Sequence, residues 1–324
     1  MGGDCMEQNR VAIYLVTGGA GFIGSTVVHE LVRRGEQVRV IDNFLTGHRH
    51  NLVDVLHRIE LYVSDITDLV QIREAFRGTD YVLHLAALAS VPRSLEDPVT
   101  TNRINTDGTL NALVAARDAR VKRLVYASSS SAYGNCPETV KTESMSPQPL
   151  SPYAASKLAG ENYCRIFSDV YGLETVCLRY FNVFGPRQDP GSPYSGVLSR
   201  FIRALLEGDR PVIFGDGEQS RDFTFVDDVV EANLRACTAP AAISRVINVA
   251  AGRCWTLNHT LAILQQITGK MAEPIYDTPR TGDIRHSQAD IQLARQLLAF
   301  EPKVSFEEGL SRTVGWYDQN PRWN

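Results

Sequence analysis

Several signatures are missing from this sequence. No apolar run approaches the ~20 residues that a helix needs to cross a bilayer, so no membrane span is expected. The six cysteines (Cys5, Cys136, Cys164, Cys177, Cys237, Cys254) are scattered, with no C-x-x-C and no close histidine pairing. That spacing argues against a disulfide framework or a zinc site and for reduced thiols, and no metal is expected. A net charge of −4 argues against a basic nucleic-acid surface and leaves room only for a local patch. There is no internal repeat and no low-complexity tract. The opening MGGDCMEQNR lacks the apolar core of a signal peptide and reads as a short disordered lead-in, which points to the cytoplasm.

What is present is the texture of a globular chain: 324 residues, 44% hydrophobic and 22% charged. Short β-branched runs recur through the first half, at 11–18, 37–42, 59–65, 81–87, 123–129 and 175–183. Helix-length segments such as STVVHELVRRG and TDGTLNALVAARDA lie between them. Strands alternating with helices predict an α/β fold built on a doubly wound parallel sheet. Beyond residue 183, GPRQDPGSPYSG and FGDGEQS read as long loops, while DDVVEANLRAC and RVINVA can rejoin the first sheet.

The first strand runs straight into TGGAGFIGS, where Gly19, Gly21 and Gly24 satisfy G-x-G-x-x-G and Gly18, Gly21 and Gly24 satisfy G-x-x-G-x-x-G. Glycines there let the chain turn tightly, let a pyrophosphate approach the backbone, and let a helix pack close to the sheet. Asp42 ends the second strand, placed to accept hydrogen bonds from an adenosine ribose and to repel a 2′-phosphate; NAD is therefore favoured over NADP. Asp65, with Ile66 beside it, either binds the adenine amino group or caps the helix that follows. The small residues of LAALAS leave room for a cofactor across a strand end, or simply pack closely.

In SPYAASKLAGENY, Ser151 can cap a helix and Pro152 suits its first position, so Tyr153 and Lys157 share one face a turn apart. A nearby ammonium and the positive end of the helix dipole both favour a phenolate. The plainer reading is a half-buried tyrosine above a lysine paired with Glu161 at the next turn. The serines of YASSSSAYG, at the carboxyl end of a parallel strand, stand where ligands bind in this architecture and can share a proton with a phenolate.

Taken together, TGGAGFIGS, HLAALASVPRSLEDP, ASSSSAYG, SPYAASK, LRYFNVFGPRQDP, FGDGEQSRDFTFVDD and GDIRHSQAD resemble the extended short-chain dehydrogenase/reductases. Within them the chain is most similar to NAD-dependent UDP-hexose and UDP-N-acetylhexosamine 4-epimerases, in particular the bacterial UDP-GlcNAc group. The resemblance implies a Rossmann-type NAD domain from residues 1–180 and 222–249, and a smaller substrate-binding domain from 181–221 and 250–324. It implies that Tyr153 takes the sugar 4-hydroxyl proton while hydride passes from C4 to NAD, and that the 4-keto sugar then turns over and is reduced on its other face. Lys157 tunes the base, and the catalytic serine falls at Ser129, with Ser130 the neighbouring choice.

The cofactor set then runs through Gly18, Gly21, Phe22, Ile23 and Gly24, and on to Asp42, Asn43 and Gly47. It continues with Asp65, Ile66, Leu85, Ala86, Ala87 and Asn105, and closes on Tyr153, Lys157 and Tyr180. For the sugar nucleotide the resemblance implies Arg221, Arg280 and Asp283, with Asn182 at the diphosphate end and Phe214 flanking the uracil. Val197 and Leu198 join that grip, and Ser90, Arg93, Ser129 and Ser130 approach the sugar. Ser287 stands at a gate where a bulky tyrosine in some relatives admits only an unmodified hexose. A serine leaves space for an N-acetyl group, so UDP-GlcNAc/UDP-GalNAc is the expected pair, with UDP-glucose/UDP-galactose beside it.

A dehydratase of the same superfamily needs an acid pair beside its catalytic hydroxyl, and SSSSAYG offers none. A UDP-uronate 4-epimerase or decarboxylase stays open, since the gate region does not exclude it. A non-catalytic NAD(H)-sensing protein on this scaffold commonly loses the Tyr/Lys pair, which is intact here. The family commonly forms homodimers through two helices per subunit, here 100–118 and 153–171.

Overall fold

A computed structural model describes residues 11–189, 196–279 and 285–320. The expected lead-in at 1–10 and the candidates Arg280 and Asp283 lie outside the described residues.

Each of the six apolar runs contributes a strand, and RVINVA contributes a seventh. They are β1 (Ile13–Thr17), β2 (Gln37–Ile41), β3 (Ile59–Tyr62), β4 (Tyr81–His84), β5 (Arg123–Ser129), β6 (Glu174–Tyr180) and β7 (Arg245–Val249). All pair in parallel, in the spatial order β7-β6-β5-β4-β1-β2-β3. Most strands are shorter than the runs that predicted them because end residues of those runs leave the ladder as loops, while β5 spans its whole run. Successive side chains alternate between the two faces of the sheet. Leu15, Val82 and Leu124 enter one core, and their neighbours Val16, Leu83 and Val125 enter the other. An apolar residue at every position is what a sheet covered on both sides requires.

The covering helices are α1 (Phe22–Arg33), α2 (Leu69–Phe76), α3 (Gly108–Asp118), α4 (Pro152–Tyr171) and α5 (Val226–Thr238). Helices α1 and α5 pack on one face through Val28, Leu31 and Val229. On the other lie α2, α3 and α4, through Phe76, Leu113 and Phe167. Helix α4 starts where the sequence says it should: the Ser151 hydroxyl accepts from the Ala154 N–H at 3.1 Å, and Pro152 takes the first helical position. Strand order reverses between β1 and β4, which opens a crevice at the carboxyl ends of the strands.

A smaller sheet carries Cys254–Thr256, Ser220–Asp222, His286–Ala289 and Val140–Lys141, in that spatial order. Its packing cuts across the expected domain limits. Val140–Lys141, from the first part of the chain, pairs with Gln288 and Ala289. Helix Gln292–Leu298, from the last part, buries Ala294 and Leu298 in the same core as Ile247 and Val249. The two halves therefore share apolar contacts as well as a crevice.

Helix α4 approaches β5 closely at Gly160, where an added Cβ would stand 2.3 Å from the Tyr126 hydroxyl oxygen and 2.4 Å from its ring carbon Cζ. Alanine in a helix interior normally gains about 1 kcal/mol over glycine. Here the overpacking against a fully buried ring costs about 1–3 kcal/mol and outweighs that gain. Gly160→Ala is therefore expected to lower the urea midpoint with an unchanged slope, and a rise would show that α4 has room to move.

Candidate active site

A groove crosses the carboxyl ends of β1, β2, β4 and β5. Gly18, Gly21, Phe22, Ile23 and Gly24 form one wall, where the chain turns from β1 into α1. At Gly24 a Cβ would stand 2.1 Å from the Gly18 carbonyl oxygen, so this turn closes only without a side chain. The N-cap of α1 is Gly21, with no side-chain cap and no acid in the first turn, which leaves the helix amides open to a phosphate.

Asp42, Asn43 and Gly47 follow along the groove, then Asp65 and Ile66. Asp42 is buried; its Oδ2 accepts from the Ala20 N–H at 2.9 Å and its Oδ1 from the Phe44 N–H at 2.8 Å. Burial pushes its carboxyl up, and these two amide bonds oppose that. Each oxygen keeps a lone pair for a ribose hydroxyl. Asp65 is not the helix cap: Asp68 caps α2, accepting from Val70 and Gln71. Asp65 instead accepts from Thr67 and from Asn43 Nδ2 at 3.0 Å, at the groove wall. The bare turn, the uncapped helix end and the buried acid beyond it fit a dinucleotide.

The far end of the groove is lined by Leu85, Ala86, Ala87, Tyr153, Lys157 and Tyr180. Burial pushes the pKa of the Tyr153 phenol up, and the neighbouring Ser129 hydroxyl opposes that. The net direction is upward, the opposite of what a lysine and a helix dipole alone predict, because desolvation of the anion is the largest cause. Lys157 donates from Nζ to the Ala127 carbonyl at 2.8 Å and lies 5.1 Å from the centre of the Tyr126 ring. Burial lowers it to about 8. It does not pair with Glu161, whose carboxylate is bound to Arg179 at 2.7 Å. Ser129 also accepts from the Ser131 hydroxyl at 2.8 Å. Ser130 begins a short 3-10 turn.

Asn105 lies one layer behind the groove and does not line it. Its Oδ1 accepts from the Leu88 N–H at 2.8 Å, and its Nδ2 donates to the Leu88 carbonyl and to Ser156 Oγ. It thus ties the segment after β4 to α4, from a π-helical turn over Arg103–Asp107, a distortion that recurs at functional sites. Beside it runs a chain that sequence reasoning did not single out. Thr109 donates to the Asn105 carbonyl at 2.6 Å, so its oxygen must accept from His84 Nε2 at 3.0 Å. Nδ1 of His84 then accepts from the Thr17 hydroxyl at 2.7 Å, and Thr17 in turn accepts from the Ala86 N–H at 3.3 Å. A neutral imidazole satisfies every link. His84 is the one buried histidine of HLAA, a signal that was available but not used. Leu45, Thr46, Ser64, Leu88, Ile104 and Ser128 also line the groove; most sit next to predicted residues and carry no chemical signature of their own.

The sugar-nucleotide candidates lie mostly on the smaller half. Arg221 and Ser287 are partners across a parallel rung of the small sheet. Ser287 is buried, and Arg221 is half-buried, donating to the Ser220 carbonyl at 2.9 Å. Asn182 donates to the Asp222 carbonyl at 2.9 Å. Val197 and Leu198 open helix Val197–Glu207, and Phe214 ends strand Val212–Phe214. Ser90 caps helix Val91–Glu96, accepting from the Arg93 N–H at 3.2 Å. Among the described residues no group of three or more His, Cys, Asp or Glu side chains could hold a metal, and no helix is long and apolar enough to cross a membrane.

Residues 14–250 match the model of the NAD dependent epimerase/dehydratase family. The UDP-glucose 4-epimerase of Mycolicibacterium smegmatis is 39% identical over 308 residues, 94% of this chain and 97% of its own. The UDP-glucuronate 4-epimerase of Thermodesulfobacterium geofontis is 38% identical over 322 residues, 95% of this chain and 96% of its own. Among solved structures, the UDP-N-acetylglucosamine 4-epimerase of Methanobrevibacter ruminantium, in complex with UDP-N-acetylmuramic acid, is 40% identical with a TM-score of 0.92. That likeness covers 96% of this chain and all of the other.

Burial, with the Lys157 charge adding to it, lowers the His84 imidazole to about 3. The unfolded chain takes up this proton near pH ~6.5, but the folded chain does not until near its own, lower value. Stability is therefore lost as pH falls from about 6.5 towards 3, by up to about 1.4 kcal/mol per pH unit from this group. Denaturant unfolding across that range is expected to show a flatter slope in His84→Gln; equal slopes would mean that His84 is protonated in the fold.

Proposed function

The chain belongs to the NAD dependent epimerase/dehydratase family, and from that premise we propose that it reversibly inverts C4 of a UDP-sugar. NAD is its cofactor. The observation that carries the reading is the pairing of a half-buried tyrosine beside Ser129 with a lysine on the same face of α4 and in the same groove. NAD, when bound, supplies the reversible two-electron acceptor for C4. Tyr153 takes the proton of the 4-hydroxyl and later returns it, with the Ser129 hydroxyl bridging base and substrate. Lys157, charged and nearly without solvent, stabilises the phenolate, which burial alone disfavours. Arg221 offers a guanidinium fork to the diphosphate and so holds the nucleotide while the keto sugar turns.

Ser287, beside Arg221, supports UDP-GlcNAc/UDP-GalNAc as the substrate pair, with UDP-glucose/UDP-galactose also accepted. A uronate reading has a specific observation behind it, the relative that acts on UDP-glucuronate and aligns along nearly the whole chain. We further propose a homodimer formed through 100–118 and α4, whose outer faces leave Ile166, Val170 and Tyr171 exposed, with Val99 close by.

Incubation with UDP-GlcNAc, UDP-glucose and UDP-glucuronate, read by NMR at C4, is expected to give C4 epimers of the first two. Tyr153→Phe is expected to lower that turnover by at least about 10²-fold while NAD stays bound. Rejection of the N-acetyl pair would sink the Ser287 reading, and full activity in Tyr153→Phe would sink the base assignment. In sedimentation velocity the wild type should run as a dimer and Val170→Glu as a monomer. A monomeric wild type would remove the interface.

A further inference from the structure

Tyr153, Lys157 and Glu161 occupy successive turns of one face of α4; Lys157 and Glu161 are buried, and Tyr153 lines the groove half-buried. A lysine and a glutamate at that spacing attract each other, more strongly in a low-dielectric interior than at a surface. Yet they do not pair. Glu161 Oε1 accepts from Arg179 Nε at 2.8 Å and Oε2 from Arg179 Nη2 at 2.7 Å, and the Ser128 hydroxyl donates to Oε1 as well. Both carboxylate oxygens are taken up by Arg179, and among the described residues Lys157 donates to the Ala127 carbonyl alone.

As a device for stability alone this arrangement is poor. A buried ion pair does little better than apolar side chains of the same volume. Arg179 also leaves its buried Nη1 without an acceptor, lying with its guanidinium carbon 4.5 Å from the centre of the Tyr133 ring. We propose that Arg179 is a positioning residue for the active site: by holding Glu161 in a two-pronged grip it keeps that carboxylate from closing onto Lys157. The proposal rests on the roles given to Tyr153 and Lys157 above. With Glu161 held away, the ammonium charge acts on the Tyr153 phenol; with Glu161 released, the two charges cancel and the phenol is left to its burial.

The titratable groups facing Lys157 are Glu161 and Cys164 on α4, His84 on β4 and Tyr126 on β5, with Tyr153 one turn earlier on α4 in the same groove. Burial keeps His84 neutral and raises Tyr126, and Glu161 is the one carboxylate among them. Tyr133, Glu143 and Cys177 face Arg179 from the other side.

The test compares NAD-bound wild type with Arg179→Met, Glu161→Gln and the double variant. Tyr153 is titrated through phenolate absorption as the difference from the matching Tyr153→Phe protein, alongside the pH profile of kcat/KM for epimerisation. In Arg179→Met the Tyr153 titration and the acid limb of the profile are expected to move to higher pH by about one unit or more. Neither should move upward in Glu161→Gln, and the double variant should return to the wild-type position. A merely structural pair would respond alike to the loss of either partner. Arg179→Lys, which keeps the charge without the fork, serves where the methionine variant folds poorly, and should shift in the same direction by less. Equal shifts in both single variants, or none in Arg179→Met, would overturn the proposal. Failure of the wild type to epimerise any UDP-sugar would remove the proposed function, while the Tyr153 titration would still decide the role of Arg179.

Discussion

The contact between α4 and β5 is the constraint on which the site depends. At Gly160 the helix lies against the Tyr126 ring with no space for a methyl group, and that contact sets its distance from the sheet. Tyr153 and Lys157 ride on α4, while Ser129 and the Ala127 carbonyl belong to β5. The approach of Tyr153 to Ser129, and the hydrogen bond from Lys157 to Ala127, are possible only because two elements joined by more than twenty residues are held at a fixed separation. The apolar cores on either side of the sheet make that separation hard to change, since close-packed interiors yield little.

Around this contact the protein buries an unusual amount of polar chemistry and satisfies nearly all of it. One chain passes from Ala86 through Thr17, His84 and Thr109 to Asn105, then on to Leu88 and Ser156. It fixes the backbone after β4 that forms the groove floor. A second joins Ser128, Glu161 and Arg179 beneath the strand end. Each is expensive to leave incomplete in a dry interior, so each admits essentially one arrangement of the groups it connects. The groove is thereby prepared before a ligand arrives.

Much of this was legible in the sequence because the signals are local. Continuous apolar runs marked buried parallel strands, the glycines marked the turn into α1, and Ser151-Pro152 marked the start of α4. Asp42 was readable from its place at the end of β2. Other readings failed where two neighbours compete for one role. Asp65 and Asp68 are equally good caps on paper, and only the backbone path shows that Asp68 takes α2. Asn105 was assigned to the groove but is spent on Leu88 and Ser156, which no spacing rule reveals. Glu161 looked like a partner for Lys157 because helix geometry places it there; its true partner, Arg179, is on another element. The domain limits blurred for the same reason, since Val140–Lys141 and helix Gln292–Leu298 pack across them.

Neighbouring residues alone were enough for the element types, the parallel sheet and the glycine turn, acid, tyrosine and lysine in a recognisable order. These follow from periodicity and short-range chemistry, which are properties of neighbouring residues. Which charged groups meet is a matter of the folded chain. Whether Lys157 keeps its charge for Tyr153, whether His84 stays neutral, and whether Arg221 stands beside Ser287 depend on groups far apart in the chain, and on burial that magnifies their interaction.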